Sequence, residues 1–199
     1  MKKKILLSIL CICMVLTMMP TVGYAAEPPV GDLYVNGVLI YSSDTAKTTN
    51  PDGVVGVKFD IPSSTLTLTN AKITNGVCGS KPYMVGIFSE FLLTINLVGT
   101  NEISIAPGKD SCGIENAKSD LIITDVDGSG SLAIGSNTPE TPLQHGIWVL
   151  GNLTISGGDI TSTGKKGISL WSDAGRKLTI SGVNTSVTAT GTEYGIYCI

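Results

Sequence analysis

Apolar residues along this chain come in short bursts, and no stretch shows the spacing of an amphipathic helix. Five bursts open with the same dipeptide: Gly86-Ile87, Gly113-Ile114, Gly146-Ile147, Gly167-Ile168 and Gly195-Ile196. Each of the first four is followed by a Leu-x-Ile triplet, at Leu93-Thr94-Ile95, Leu121-Ile122-Ile123, Leu153-Thr154-Ile155 and Leu178-Thr179-Ile180. Successive dipeptides lie 27, 33, 21 and 28 residues apart. Short strands in a fixed order, recurring about every 20–50 residues, are the signature of a stacked architecture.

The 21-residue interval contains the bare unit. Gly146 to Val149 forms one strand, Leu153 to Ile155 a second and Ile160 to Ser162 a third. Gly151-Asn152 and Gly157-Gly158-Asp159 supply the turns between them, because Gly, Asn and Asp tolerate turn conformations. The expected fold is therefore all-β, a right-handed parallel β-helix (a solenoid) with an N-terminal β-hairpin cap. Period-two alternation assigns the inward rows. Leu66, Leu93, Leu121, Leu153 and Leu178 form one, and Leu68, Ile95, Ile123, Ile155 and Ile180 another. Thr67, Thr94, Ile122, Thr154 and Thr179 then face out. In the third strand Ile103, Leu132, Ile160 and Val187 face in, with Ser104, Ala133, Thr161 and Thr188 facing out.

The organisation predicted from these patterns has three parts. Residues 1–25 read as a secretory signal peptide: Lys2 to Lys4, an apolar run from Ile5 to Met19, then Gly23-Tyr24-Ala25 as a cleavage site. The run is 15 residues long, short for a membrane span of about 20. Residues 26–58 hold a linker and the capping hairpin, whose strands flank Asn36-Gly37, a strong hairpin signal. Residues 59–199 hold the β-helix, with Val57 to Thr74 giving an irregular first coil. The sequence stops just inside a new coil at Gly195 to Ile199, so an uncapped edge and end-to-end self-association are expected. Ser136 to His145 and Ser172 to Lys177 read as loop insertions.

Composition narrows the function classes. Loss of the leader takes Lys+Arg from 13 to 10 against 16 Asp+Glu, a formal charge of −6. An acidic chain argues against nucleic acid as a partner, and cleavage leaves no membrane segment. Localisation is expected to be secreted or extracellular. Three cysteines remain, Cys78, Cys112 and Cys198, an odd number that prevents complete pairing within one chain. A Cys78–Cys112 bridge is one reading, and buried or idle thiols are the plainer one. With His145 as the single histidine and no Cys-x-x-Cys motif, a structural zinc site has little support.

Three sequence words carry a family resemblance: DLYVNGVLI (Asp32 to Ile40), FDIPSSTLTLTNAKI (Phe59 to Ile73) and the recurring GIxxxGNLTISGG-type unit. In these the chain resembles secreted bacterial β-helix proteins described as carbohydrate-binding domain-containing and related in shape to pectate lyases. That resemblance implies an extracellular or cell-surface protein that binds polysaccharide. Some members of the group are lyase-like and calcium-binding.

Candidate sites follow from stacking. The residue after each Gly-Ile should face solvent, which places Phe88, Glu115, Trp148, Ser169 and Tyr197 in one column, with Trp171 on the same side. Aromatic faces stack on the apolar faces of sugar rings while a polar edge stays wet; alternatively, the rings simply cover the sheet. A second column, Gly99, Asp127, Asp159 and Asn184, joined by Asp125, offers oxygen ligands for calcium. The same residue types are also ordinary turn formers. For catalysis, Lys165, Lys166, Arg176 or Lys177 could act as a base and Glu90 with Glu115 as an acid pair, yet no pair stands out. The sequence thus favours a non-catalytic polysaccharide-binding protein without a cofactor. A structural or adhesion module with a protein partner and a calcium-dependent polysaccharide lyase are the alternatives.

Overall fold

A computed structural model describes residues 27–76, 83–171 and 175–198. The leader, Cys78 and Ile199 lie outside the described residues. In chain order the strands are β1 (Asp32–Val35), β2 (Val38–Ser42), β3 (Val57–Asp60), β4 (Thr65–Thr69) and β5 (Lys72–Ile73). Next come β6 (Val85–Ser89), β7 (Leu93–Val98), β8 (Thr100–Ile105), β9 (Cys112–Asn116), β10 (Leu121–Thr124) and β11 (Ser131–Ser136). The last are β12 (His145–Val149), β13 (Leu153–Ile155), β14 (Gly158–Leu170), β15 (Leu178–Ile180) and β16 (Thr185–Cys198). There is no helix among the described residues.

The chain winds as a parallel β-solenoid with three columns. The Gly-Ile strands stack in the first, where Ile87, Ile114, Ile147, Ile168 and Ile196 are successive partners over four turns. The Leu-x-Ile strands β7, β10, β13 and β15 stack in the second, with Leu93, Leu121, Leu153 and Leu178 in register as predicted. The third runs through β5, β8, β11 and the first halves of β14 and β16. Inside lies one contiguous aliphatic core, and its leucines and isoleucines from Leu33 to Leu170 are almost wholly excluded from solvent.

Two rows differ from the simple alignment. Leu66 pairs with Ile95 and Leu68 with Leu97, so β4 sits two residues along from its predicted register. Likewise Ile103 pairs with Ile134, and Asn101 takes the place opposite Leu132. A shift of two preserves which side chains face in, so the core survives it. Asn101 is tolerated inside because its polar atoms are all engaged. Its Oδ1 accepts from the Ala71 amide at 2.8 Å, and its Nδ2 lies 3.2–3.3 Å from the carbonyls of Val98, Gly99 and Ser131.

The N-terminal region is antiparallel. Asn36 and Gly37 have φ of 54° and 81°, the left-handed pair that a two-residue hairpin requires. Strand β1 then pairs antiparallel with β6, and Leu33, Val35 and Ile40 enter the core. The segment read as an irregular first coil opens as a second hairpin, because β3 and β4 pair antiparallel and the parallel winding starts at β4. A tight turn explains this. The Ser64 amide donates to the Ile61 carbonyl at 3.1 Å, and the Asp60 carboxylate accepts the Ser63 amide at 3.1 Å. The boundary drawn at residue 59 falls inside β3. At its base Tyr41, Phe59 and Phe91 pack with ring centroids 5.5–5.9 Å apart.

The recurring glycine has a steric cause. At the corner where the third column meets the first, a Cβ on Gly86 would stand 2.6 Å from Ile103 Cγ2 and 2.7 Å from the Gly113 carbonyl oxygen. The equivalent atom on Gly113 would collide with Ile134 and on Gly146 with Ser162. A methyl group there forces backbone or core to move. Gly113→Ala is therefore expected to lower unfolding free energy by roughly 1–3 kcal/mol. Gly108→Ala, at a site with no atom within 4 Å of the added carbon, should change it by less than about 0.5 kcal/mol. Urea denaturation of the two variants beside wild type measures the difference.

Candidate functional site

The glycine corner also decides what the first column shows to solvent. Strand pairing runs His145 with Lys166 and then Ile147 with Ile168, passing over the intervening glycine. This glycine corner, across which the strands keep their register, leaves the residue before the glycine and the residue after the isoleucine on the same outer face. Two outer rows result: Val85, Cys112, His145, Lys166 and Tyr194, and beside it Phe88, Glu115, Trp148, Ser169 and Tyr197. The second is the predicted column in its predicted register.

Three of the five members of that column are covered. Phe88 is 3 % exposed and Glu115 and Ser169 are 2 % exposed each, so none of the three presents a surface to solvent, contrary to the sequence expectation. Strand β1 brings Tyr34 beside Phe88, with ring centroids 6.3 Å apart. Tyr83 packs on the same cluster, and its hydroxyl lies 3.2 Å from Glu115 Oε1. Cys112 is buried in this cluster with its Sγ 2.9 Å from the Ile114 carbonyl oxygen. Cys198, by contrast, is exposed.

The aromatic residues of the later rungs are more open. Trp171 is 49 % exposed and Tyr194 51 %, while Trp148 and Tyr197 are partly buried. Trp148 stacks on His145 at 5.1 Å between centroids and 18° between planes, and it meets Trp171 at 6.3 Å. On the last rung Tyr194 and Tyr197 are 4.9 Å apart, and the Lys166 ammonium sits 4.5 Å above the Tyr197 ring. The Trp148 indole N–H, though buried, makes no hydrogen bond among the described residues. The result is a band of four aromatic rings with a cation in its middle. Period-two alternation alone turns His145, Lys166 and Tyr194 inward, so they were missed as members of this face. The residue preceding each Gly-Ile was the available signal.

His145 is the chemically unusual member. Its Nδ1 lies 2.8 Å from Ser169 Oγ. Burial, helped by the nearby Lys166 charge and opposed by Asp110, holds its pKa down at about 4. The imidazole is thus neutral at physiological pH and acts as an aromatic plate for Trp148.

The proposed calcium column does not assemble. Asp159 pairs with Ser131 and Ser186 and shares no row with Asp127 or Asn184. Asp125 accepts the amides of Gly128 and Gly130, each at 2.9 Å, and so ties its own turn. Asp127 accepts the Ser129 hydroxyl at 2.6 Å and its amide at 2.9 Å; that side-chain bond is the main reason its pKa is lowered. Asn184 adopts φ of 67° in a turn. Turn formation accounts for Asp125, Asp127 and Asn184, Asp159 lies within β14, and no group of three or more His, Cys, Asp or Glu converges among the described residues. Among the catalytic candidates, Glu90 is ion-paired to Lys118 at 2.9 Å and its Oε2 accepts the Asp32 amide at 3.3 Å.

Compared with protein-family models, curated proteins and solved structures, the chain matches none. Its fold therefore stands on the pairings above, and any function must be argued from the exposed face itself.

The depressed His145 pKa has a thermodynamic consequence. Between pH 6.5 and about 4 the unfolded chain takes up a proton that the folded protein does not. Stability present above pH 6.5 therefore falls as the pH drops through that window, and levels off below it. His145→Gln should flatten this part of the profile. Compared with the variant, wild type is expected to lose roughly 2–3 kcal/mol more across the window, read from urea unfolding at stepped pH.

Proposed function

We propose that this protein is a secreted, non-catalytic β-solenoid that binds an extended polysaccharide along the open half of its first column. One observation carries the reading: Trp148, Trp171, Tyr194 and Tyr197 crowd one side of a flat, regularly spaced sheet, and two of them are about half exposed. Aromatic rings held by a rigid sheet bind at low entropic cost, because their side chains have little freedom left to lose. Their faces suit the apolar faces of pyranose rings, and the tyrosine hydroxyls and the exposed Trp171 indole can bond sugar hydroxyls at the rim. A polymer lying across several rungs gains from contacts that are individually weak. The basic, apolar opening of the sequence supports export, and the resemblance to secreted carbohydrate-binding β-helix proteins points to the same ligand class.

Trp171 is the best probe, since it is exposed and lies outside the core. Affinity electrophoresis through gels containing soluble polysaccharides should retard the wild-type protein. Trp171→Ala should weaken that retardation by about tenfold, close to 1.4 kcal/mol, with an unchanged far-ultraviolet dichroism spectrum. Full retardation of the variant would move the binding surface elsewhere.

A further inference from the structure

The two ends of the solenoid are finished differently. At the N-terminal end antiparallel strands close the coil, β1 pairing on β6 and β3 on β4, and Leu33, Val54 and Val57 join the core there. At the far end the rung from Leu178 to Cys198 is paired along one edge only, β15 on β13 and β16 on β14. Its inward side chains continue the core rows, but no further rung covers them among the described residues. Neighbours within a row show the contrast directly. Ile155 and Ile168 are wholly buried, whereas their partners Ile180 and Ile196 are each 48 % exposed. Leu178 and Val187 are only partly buried where their partners Leu153 and Ile160 are fully so. In the turn between β15 and β16, Val183 is 91 % exposed.

We propose that this rung is an interface whose occupant is a second copy of the same chain, joined end to end in a closed two-fold dimer. An exposed apolar patch marks an interaction site, and an unpaired strand edge beside it is a template for another strand. Edges that must stay free are guarded by Lys or Pro. Between Leu178 and Cys198 there is neither, and Glu193 is the single charged residue. Like charges therefore do little to oppose the meeting of two such rungs. The surface to be covered is flat and aliphatic with a 14-residue strand along it, and an identical rung matches it in both respects. The opposite end of the molecule shows that rung edges of this solenoid accept antiparallel strands. Antiparallel is also the direction that a two-fold axis gives to β16 and its copy. Size agrees as well: the rung has 21 residues, against about 20–30 a side in a standard stable interface. Head-to-tail stacking is blocked, because β1 and β3 already occupy the other end, so the assembly closes at two copies instead of growing into a filament. The aromatic face of the first column stays on the flank of such a dimer, and the proposal is independent of the polysaccharide reading.

Sedimentation velocity on the full chain over a wide concentration range tests this, with a species of twice the monomer mass expected. Val187→Lys puts a charge into the inward row and should raise the dimer dissociation constant by at least about tenfold, with an unchanged far-ultraviolet dichroism spectrum. Thr188→Lys, on the outward side of the same strand, should leave the dimer intact. Hydrogen exchange on the wild type gives a reading that needs no variant. Amides of β16 that point away from β14 should exchange slowly when the protein is dimeric and faster on dilution. A wild-type monomer at every concentration, or open-ended oligomers, would overturn the proposal. So would a dimer that survives Val187→Lys, or one in which those β16 amides stay unprotected.

Discussion

Absence of a side chain at one corner of the coil controls the rest of this molecule. Where the third column turns into the first, the backbone of Gly86, Gly113 and Gly146 lies against Ile103, Ile134 and Ser162 with no space for a Cβ. On later rungs Gly167 and Gly195 meet neighbouring backbone in the same way. That close approach lets the following isoleucine reach the axis, so a continuous row of isoleucines forms behind the corner. It also interrupts the alternation of the strand, so the residues flanking each Gly-Ile both turn outward at this corner. Core and surface thus share one steric cause.

Within the coil, energy comes from rows rather than from single contacts. Each fully buried leucine or isoleucine contributes roughly 1.5–3 kcal/mol against the entropy of ordering the chain. The rows remain continuous even where β4 and β8 slip by two residues, because an even slip keeps the same side chains inside. Two buried polar side chains show how such groups are accommodated. Asn101 replaces a hydrophobic side chain at a corner and joins three segments of backbone. His145 is accommodated by losing its charge, and as a neutral ring it supports Trp148.

One column serves two purposes because the hairpin covers only part of it. Tyr34, carried by β1, and Tyr83 convert the first two rungs of the outer face into a second small core around Phe88 and Cys112. Beyond Glu115 that cover ends. The same geometrical positions, occupied by His145, Trp148, Lys166, Tyr194 and Tyr197, become an aromatic surface with a cation among its rings. Position in a row therefore does not define exposure; what lies over the row does.

Repeat spacing and alternation are local properties of the chain, so the sequence by itself determined the solenoid, its three strands per turn and most of its inward rows. Asn36-Gly37 likewise specified its hairpin, since few other residues accept that backbone conformation. Burial of Phe88 and Glu115 was not legible, because it depends on Tyr34 and Tyr83, which reach them through antiparallel pairing and packing across the outer face. Nor was the dispersal of Asp125, Asp127, Asp159 and Asn184, whose turns differ in length and so break the equivalence that their spacing suggests. Membership of the aromatic face was half legible. Trp148 and Tyr197 followed from alternation, whereas His145, Lys166 and Tyr194 required the glycine corner, which exists only when one coil presses against the next.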